Sequence, residues 1–324
     1  MGWYSAVGRR AFFALSPEAA HRAAGRMLFL PLPWARIGGA STDPSLAVTL
    51  AGIPLSNPVG LAAGFDKTGA HVDALGALGF GYVVAGTFTR EPRKGNPSPR
   101  IARFARQRSM VNSMGLPNPG AEAAATTLGA RTAPAPVFVS IADEPRDAAV
   151  ATLELLSPHA AAIELNASCP NVEWGRDGGD EGHLSELVRA LAERTHRPLF
   201  VKLPPFLTDA ARDGVLALAR VAQDAGAAGI TCSNTHPVAT GRLASGKGGL
   251  SGRALWPHTP KIVAAVAEAT GGAFPVNACG GSSSPADVRA CLDAGAATVQ
   301  VYSSFIYEGP GVVGTLTRGI VARS

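Results

Sequence analysis

Charge is scarce in this chain of 324 residues: Asp, Glu, Lys and Arg make up 16% of it, against 46% hydrophobic residues. That balance excludes a disordered chain, and the length leaves room for a large core, as one α/β barrel or as two ordinary domains. Cysteine is scarce as well. Cys169, Cys232, Cys279 and Cys291 show no CxxC spacing, so neither a zinc site nor a disulfide framework is suggested, no metal is expected, and a reducing compartment is. No apolar run reaches transmembrane length, and no signal peptide is expected. The chain also lacks a Walker lysine motif and a strand-adjacent GxGxxG, which argues against ATP and dinucleotide modes. The expected location is the cytoplasm or its membrane face.

The little charge there is lies unevenly. The formal net charge is +5, and residues 1–40 carry Arg9, Arg10, Arg22, Arg26 and Arg36 against Glu18 alone. No Lys/Arg stripe interleaved with aromatics follows, so nucleic acid is not expected as a partner. Trp3, Tyr4, Val7, Phe12, Phe13 and Leu15, then Ser16-Pro17-Glu18 as a helix start and Ala19 to Leu30, read as short amphipathic helices. Pro31, Pro33 and Gly38-Gly39 close the segment. Such a face suits a membrane interface, and it equally suits docking on the main domain.

From residue 43 onward, apolar runs alternate with helical patterns. Strands are expected at Pro58 to Leu61, Tyr82 to Thr87, Val137 to Ile141, Ala162 to Asn166, Leu199 to Leu203, Gly229 to Ser233, Pro275 to Ala278 and Thr298 to Tyr302. Alanine-rich helical stretches lie between them, among them Ala210 to Ala225 and Pro285 to Ala294. Eight strands with intervening helices predict an α/β fold, a (β/α)8 TIM barrel over 43–324 behind a small N-terminal helical extension over 1–42.

A barrel brings all its strand C-termini to one face, and polar residues gather at those ends. Asn166 and Cys169 follow the fourth strand, within Ile163-Glu164-Leu165-Asn166-Ala167-Ser168-Cys169-Pro170-Asn171, where a thiol able to move a proton lies between carboxamides. Lys67 follows the first strand and Lys202 ends the fifth; matching positions favour a shared anionic ligand. Gly280-Gly281 and Tyr302-Ser303 occupy the loops where barrels bind phosphate. Two long segments, Phe88 to Gly120 and Asn171 to His183, read as candidate lids over the mouth.

Asn57-Pro58-Val59-Gly60-Leu61-Ala62-Ala63-Gly64-Phe65-Asp66-Lys67, Asn112-Ser113-Met114-Gly115, Asn166 to Asn171, Gly248 to Arg253 and Val299 to Pro310 together resemble the dihydroorotate dehydrogenases, FMN enzymes of pyrimidine synthesis. Leu15-Ser16-Pro17-Glu18, His21 and Pro99-Arg100 are similar to the membrane-associated, quinone-using class. That resemblance implies a helical hood whose apolar tunnel leads quinone to the flavin, with His21 and Arg100 near its inner end. Carried over by position, FMN would be held by Ala63, Gly64, Lys67, Thr87, Asn166, Lys202, Ser233, Gly252, Gly280, Gly281, Tyr302 and Ser303. Lys67, Asn112, Met114, Gly115, Leu116, Asn166, Asn171, Asn234 and Thr235 would surround the pyrimidine. Cys169 would be the base that takes the C5 proton, with hydride passing from C6 to the flavin.

The chain departs from the pattern in places. Cys169 stands where the quinone-using class has Ser, Ser140 replaces a family Asn, and Val172 and Trp174 alter the segment after Asn171. These departures keep a second expectation open, an FMN oxidoreductase of the same family acting on another cyclic amide or small unsaturated metabolite. A third is a flavin-binding or membrane-docked protein without turnover, against which the retained Lys67, Asn166, Cys169 and Asn234 argue.

Overall fold

The computed structural model describes Tyr4, residues 8–167 and residues 181–321. Eight strands form a closed parallel barrel: β1 (Val59–Leu61), β2 (Tyr82–Phe88), β3 (Val137–Ala142), β4 (Ala162–Asn166), β5 (Leu199–Leu203), β6 (Gly229–Cys232), β7 (Val276–Cys279) and β8 (Thr298–Val301). They pair in chain order and β8 closes on β1, with Val299 opposite Val59. Each strand lies within two residues of its expected position, because a strand covered on both faces is written as an apolar run.

Helices follow the strands, and their starts are set by local chemistry. The Asp209–Asp224 helix begins where the Thr208 side chain accepts from Ala211 N–H. The Pro285–Asp293 helix has a full capping box between Ser284 and Asp287, with proline at the first turn. The main core lies between strands and helices. A second one fills the N-terminal end of the barrel, where Tyr82, Phe138 and Phe200 stack and Leu50 and Leu55 seal them from below. Leu50 and Leu55 belong to a hairpin, Val48–Leu50 with Ile53–Leu55, that sequence reading did not anticipate.

The other end is roofed by a four-stranded antiparallel sheet: Ile101–Phe104, Ser109–Asn112, His236–Ala239 and Lys247–Gly252. Within the Phe88 to Gly120 stretch, expected as a lid, Ile101–Phe104 and Ser109–Asn112 are strands, the second paired to a second insertion with Gly249 opposite Asn112. The Asn171 to His183 segment lies outside the described residues up to 180.

Three short helices form a hood over the roof's edge: α1 (Arg9–Ala14), α2 (Pro17–Leu28) and α3 (Trp34–Gly38). Ser16 caps α2 by accepting from Ala19 N–H, and Pro17 opens it. The roof strand Ile101–Phe104 and the turn before it hold the hood down. Arg100 pairs with Glu18 at 3.2 Å, Ser98 donates to the same carboxylate at 2.8 Å, and Arg103 donates to Phe12 O at 3.1 Å and to Leu15 O. Arg103 also lies over the Phe13 ring, 4.5 Å from its centroid. Ala20 and Leu28 are buried, while Leu15, Met27, Phe29, Leu30 and Leu32 are exposed.

Candidate active site

One continuous cavity of about 360 Å³ runs from the hood to the C-terminal ends of the barrel strands. Its hood half is apolar, walled by Phe12, Phe13, Ala24, Leu28, Leu32 and Trp34. Its barrel half is polar, and its order follows from strand alternation, which turns every second side chain inward.

The floor carries a buried charge pair. Lys202, 5% exposed, donates from Nζ to Glu164 Oε1 at 3.4 Å, and Glu164 is only 1% exposed. The other oxygen, Oε2, accepts from Thr231 Oγ1 at 2.9 Å and Gln300 Nε2 at 3.0 Å. Burial, the largest single influence, pushes the Lys202 pKa down, but the charge and hydrogen bond of Glu164 together with Cys279 push it up, so it ends above the ordinary lysine value. Gln300 is left with a buried Oε1 that has no protein partner.

Above the floor runs a chain of side-chain hydrogen bonds. Ser140 and Thr87 share one at 2.9 Å, Asn166 Nδ2 donates to Thr87 Oγ1 at 3.1 Å, and Asn234 Nδ2 donates to Asn166 Oδ1 at 2.9 Å. Asn234 Oδ1 in turn accepts from Thr235 N–H at 2.8 Å. The carboxamides are thereby fixed in orientation, which a site reading a planar ring requires. Ser140, which stands where an amide was expected, joins this chain through its hydroxyl.

Lys67 enters from the turn after β1. Asp66 is fully buried and accepts from the N–H groups of Thr68, Gly69 and His71 at 3.1, 2.9 and 2.8 Å. That turn aims Lys67 into the cavity, where Nζ donates to Gly64 O at 2.5 Å and lies 3.5 Å from His21 Nε2. Burial lowers the Lys67 pKa to about 8, and burial followed by the Lys67 charge lowers that of His21 to about 3.

At the far end, Gly252 and Gly281 meet with φ of +89° and +79°. A Cβ on Gly281 would lie 2.4 Å from Gly252 O, so only glycine permits this approach. Ser303 completes that corner, its Cβ 3.3 Å from where a Cβ on Gly252 would lie, while Tyr302 OH donates to Gly64 O at 3.4 Å.

Among the sequence-predicted residues, Ala63, Gly64, Lys67, Thr87, Asn112, Met114, Gly115, Leu116, Asn166, Lys202, Ser233, Asn234, Thr235, Gly252, Gly280, Gly281, Tyr302, Ser303 and His21 all line this one cavity. Arg100 does not line it; its guanidinium faces Glu18 and the Lys94 and Asn96 carbonyls. Cys169, Asn171, Val172 and Trp174 lie outside the described residues. Sequence reasoning missed Glu164, Gln300 and Arg103. Period-two alternation with Asn166, which puts Glu164 inside the barrel, was the signal for the first.

The family model for dihydroorotate dehydrogenase matches residues 45–323. The chain belongs to the dihydroorotate dehydrogenase family. Its relatives include the dihydroorotate dehydrogenase (quinone) of Erythrobacter litoralis, 40% identical over 96% of this chain and 93% of that one. That of Chloroflexus aurantiacus is 39% identical over 87% and 84%. Among solved structures, the ligand-free DHODH of Eimeria tenella superposes with a TM-score of 0.83 at 28% identity, covering 94% of each chain. The same protein with ferulenol gives 0.81, over 94% of this chain and 91% of that one.

Dihydroorotate dehydrogenases are flavin-using oxidoreductases. The residues here fit such a cofactor: a glycine cradle that a Cβ would fill, an orphaned Gln300 acceptor, a paired lysine and oriented amides. Among the described residues no cluster of His, Cys, Asp and Glu could hold a metal ion.

Proposed function

We propose that this protein oxidises dihydroorotate to orotate with FMN and passes the electrons to a quinone. The observation that carries this reading is the continuity of the cavity, whose oriented amides and lysines at one end open into an apolar passage at the other. When bound, FMN would supply the hydride acceptor; Lys202, Thr87, Asn166, Ser233, Gly252, Gly281 and Ser303 would hold it. Lys67 would meet the substrate carboxylate, and Asn112, Asn166 and Asn234 would pair with the ring's donors and acceptors. Cys169 would take the C5 proton. His21 lines the passage beside Lys67, and Arg100 keeps the hood seated through Glu18.

The exposed apolar side chains Leu15, Met27, Phe29, Leu30 and Leu32 all belong to the hood, beside Arg22, Arg26 and Arg36. This pattern supports peripheral attachment to an anionic membrane, from which a quinone would enter. Among the described residues no helix is long and apolar enough to cross a membrane.

Anaerobic mixing with dihydroorotate tests the reading. A yellow protein that bleaches supports it. One that stays yellow with dihydroorotate but bleaches with another cyclic amide would favour the diverged oxidoreductase that Ser140, Val172 and Trp174 leave open.

A further inference from the structure

We propose that Lys67 and His21 form a proton relay joining the polar half of the cavity to its apolar half, and that it delivers a proton to a quinone reduced there. The inference rests on the quinone reading above. Reduction of a quinone to its quinol takes two electrons and two protons. A hydride equivalent brings both electrons and one proton, so one more proton must reach a quinone oxygen.

The apolar half offers few sources. Tyr4 OH donates to Ile306 O at 2.9 Å, and Trp34 Nε1 donates to Leu30 O at 3.2 Å. Arg103 is engaged with Phe12 O and Leu15 O, and a guanidinium does not release its proton. Tyr302 OH donates to Gly64 O at 3.4 Å, and burial pushes its pKa up to about 12, so among the described residues His21 and Lys67 remain, at the point where the two halves of the cavity meet.

Their geometry sets the direction of transfer. An ammonium only donates, so across the 3.5 Å gap His21 Nε2 is the acceptor, and the neutral imidazole carries its proton on Nδ1. In one passage, an N–H bond of Lys67 breaks as one forms at Nε2, and the Nδ1–H bond breaks as an O–H bond forms on the quinone. The imidazole stays neutral, with its proton moved from one nitrogen to the other, and resets by exchange with water. Lys67 is left as the amine and regains a proton from solvent at the polar side.

The surroundings suit this traffic. Burial, then Lys67, His71 and Arg22, hold His21 near a pKa of 3, so it passes a proton without storing one. Lys67, lowered to about 8 by burial, with Asp66 and Glu18 opposing and Arg100 assisting, releases a proton more readily than a surface lysine.

The test uses the flavin-loaded protein reduced with one equivalent of dithionite, so that it does not depend on the identity of the organic substrate. Reoxidation is followed with a short-chain benzoquinone, and separately with ferricyanide, which accepts electrons without protons. His21→Gln keeps an acceptor for Lys67 but cannot relay. The ratio of the limiting benzoquinone rate to the ferricyanide rate should fall by about a hundredfold, in the range of general acid–base contributions. The solvent deuterium isotope effect on the benzoquinone step should change with it. A variant in which only the benzoquinone concentration needed for half-maximal rate rises would overturn the relay and leave His21 as a packing residue. An equal fall with both acceptors would also overturn it. Absence of bleaching by dihydroorotate would sink the functional reading while leaving this result standing.

Discussion

Glu164 is the residue whose loss should be felt most. It and Lys202 are both almost fully buried, and Glu164 Oε2 is held by Thr231 and Gln300. Glu164→Gln preserves shape and most hydrogen bonds but leaves a lysine charge alone in the barrel. Removing one partner of a buried ion pair costs about 3–5 kcal/mol, against a total stability of roughly 5–15 kcal/mol. At roughly 2 °C per kcal/mol for a chain this large, the melting temperature should drop by about 6–10 °C. Thermal unfolding followed by circular dichroism measures it.

The pH dependence gives an independent check. In the native protein the Lys202 pKa is raised, so the pair's contribution is present below the unfolded lysine value and is lost only as pH climbs through the higher folded one. Without the carboxylate, burial, the largest influence, is opposed only by Cys279 and depresses the pKa. The variant's stability should then rise with pH as Lys202 sheds its proton. Adding Lys202→Met removes the stranded charge, so the double variant should be more stable than Glu164→Gln alone. A melting point within a degree or two of the parent, with no change in pH dependence, would refute the pairing.

Lys67, with its pKa lowered to about 8, should lose its charge as pH rises past that value, and the KM for dihydroorotate should then climb about tenfold per unit. Asp66→Ala strands three backbone N–H groups and frees the turn that aims Lys67; substrate affinity measured by flavin bleaching should fall more than tenfold, with about 2–4 kcal/mol of stability lost in urea titration. Gly281→Ala puts a Cβ 2.4 Å from Gly252 O, so flavin retention on gel filtration should be largely lost. Phe29→Glu with Leu30→Glu should abolish sedimentation with anionic vesicles while leaving bleaching by dihydroorotate intact; unchanged sedimentation would reject the membrane reading.

The barrel was legible because each strand is an apolar run with a helix behind it, and most of the site was legible because topology carries the strand ends to one place. The roof was not. Its strands, such as Lys247-Gly248-Gly249-Leu250, are short and glycine-rich, and they become strands only by pairing with partners far away in sequence. Glu164 was hidden inside Ile163-Glu164-Leu165, where an apolar context masks an inward-facing carboxylate that needs Lys202 on the neighbouring strand to survive burial. Arg103 looked like any surface arginine until α1 was seen ending against it.

The roof also bears on assembly. Asn112 Nδ2 reaches Gly249 O across 137 positions of chain, with β3, β4, β5 and β6 lying between them in sequence. Contacts so distant close late during folding, after the local strand and helix units have condensed. Closure of the barrel is more distant still, with β8 pairing β1 at Val299 opposite Val59, so wall and roof both close late and the roof ends up stitched over the barrel mouth. Once the sheet has paired, exchange requires that stitching to part, so the flavin should leave slowly, at a rate set by local unfolding of the roof as well as by affinity.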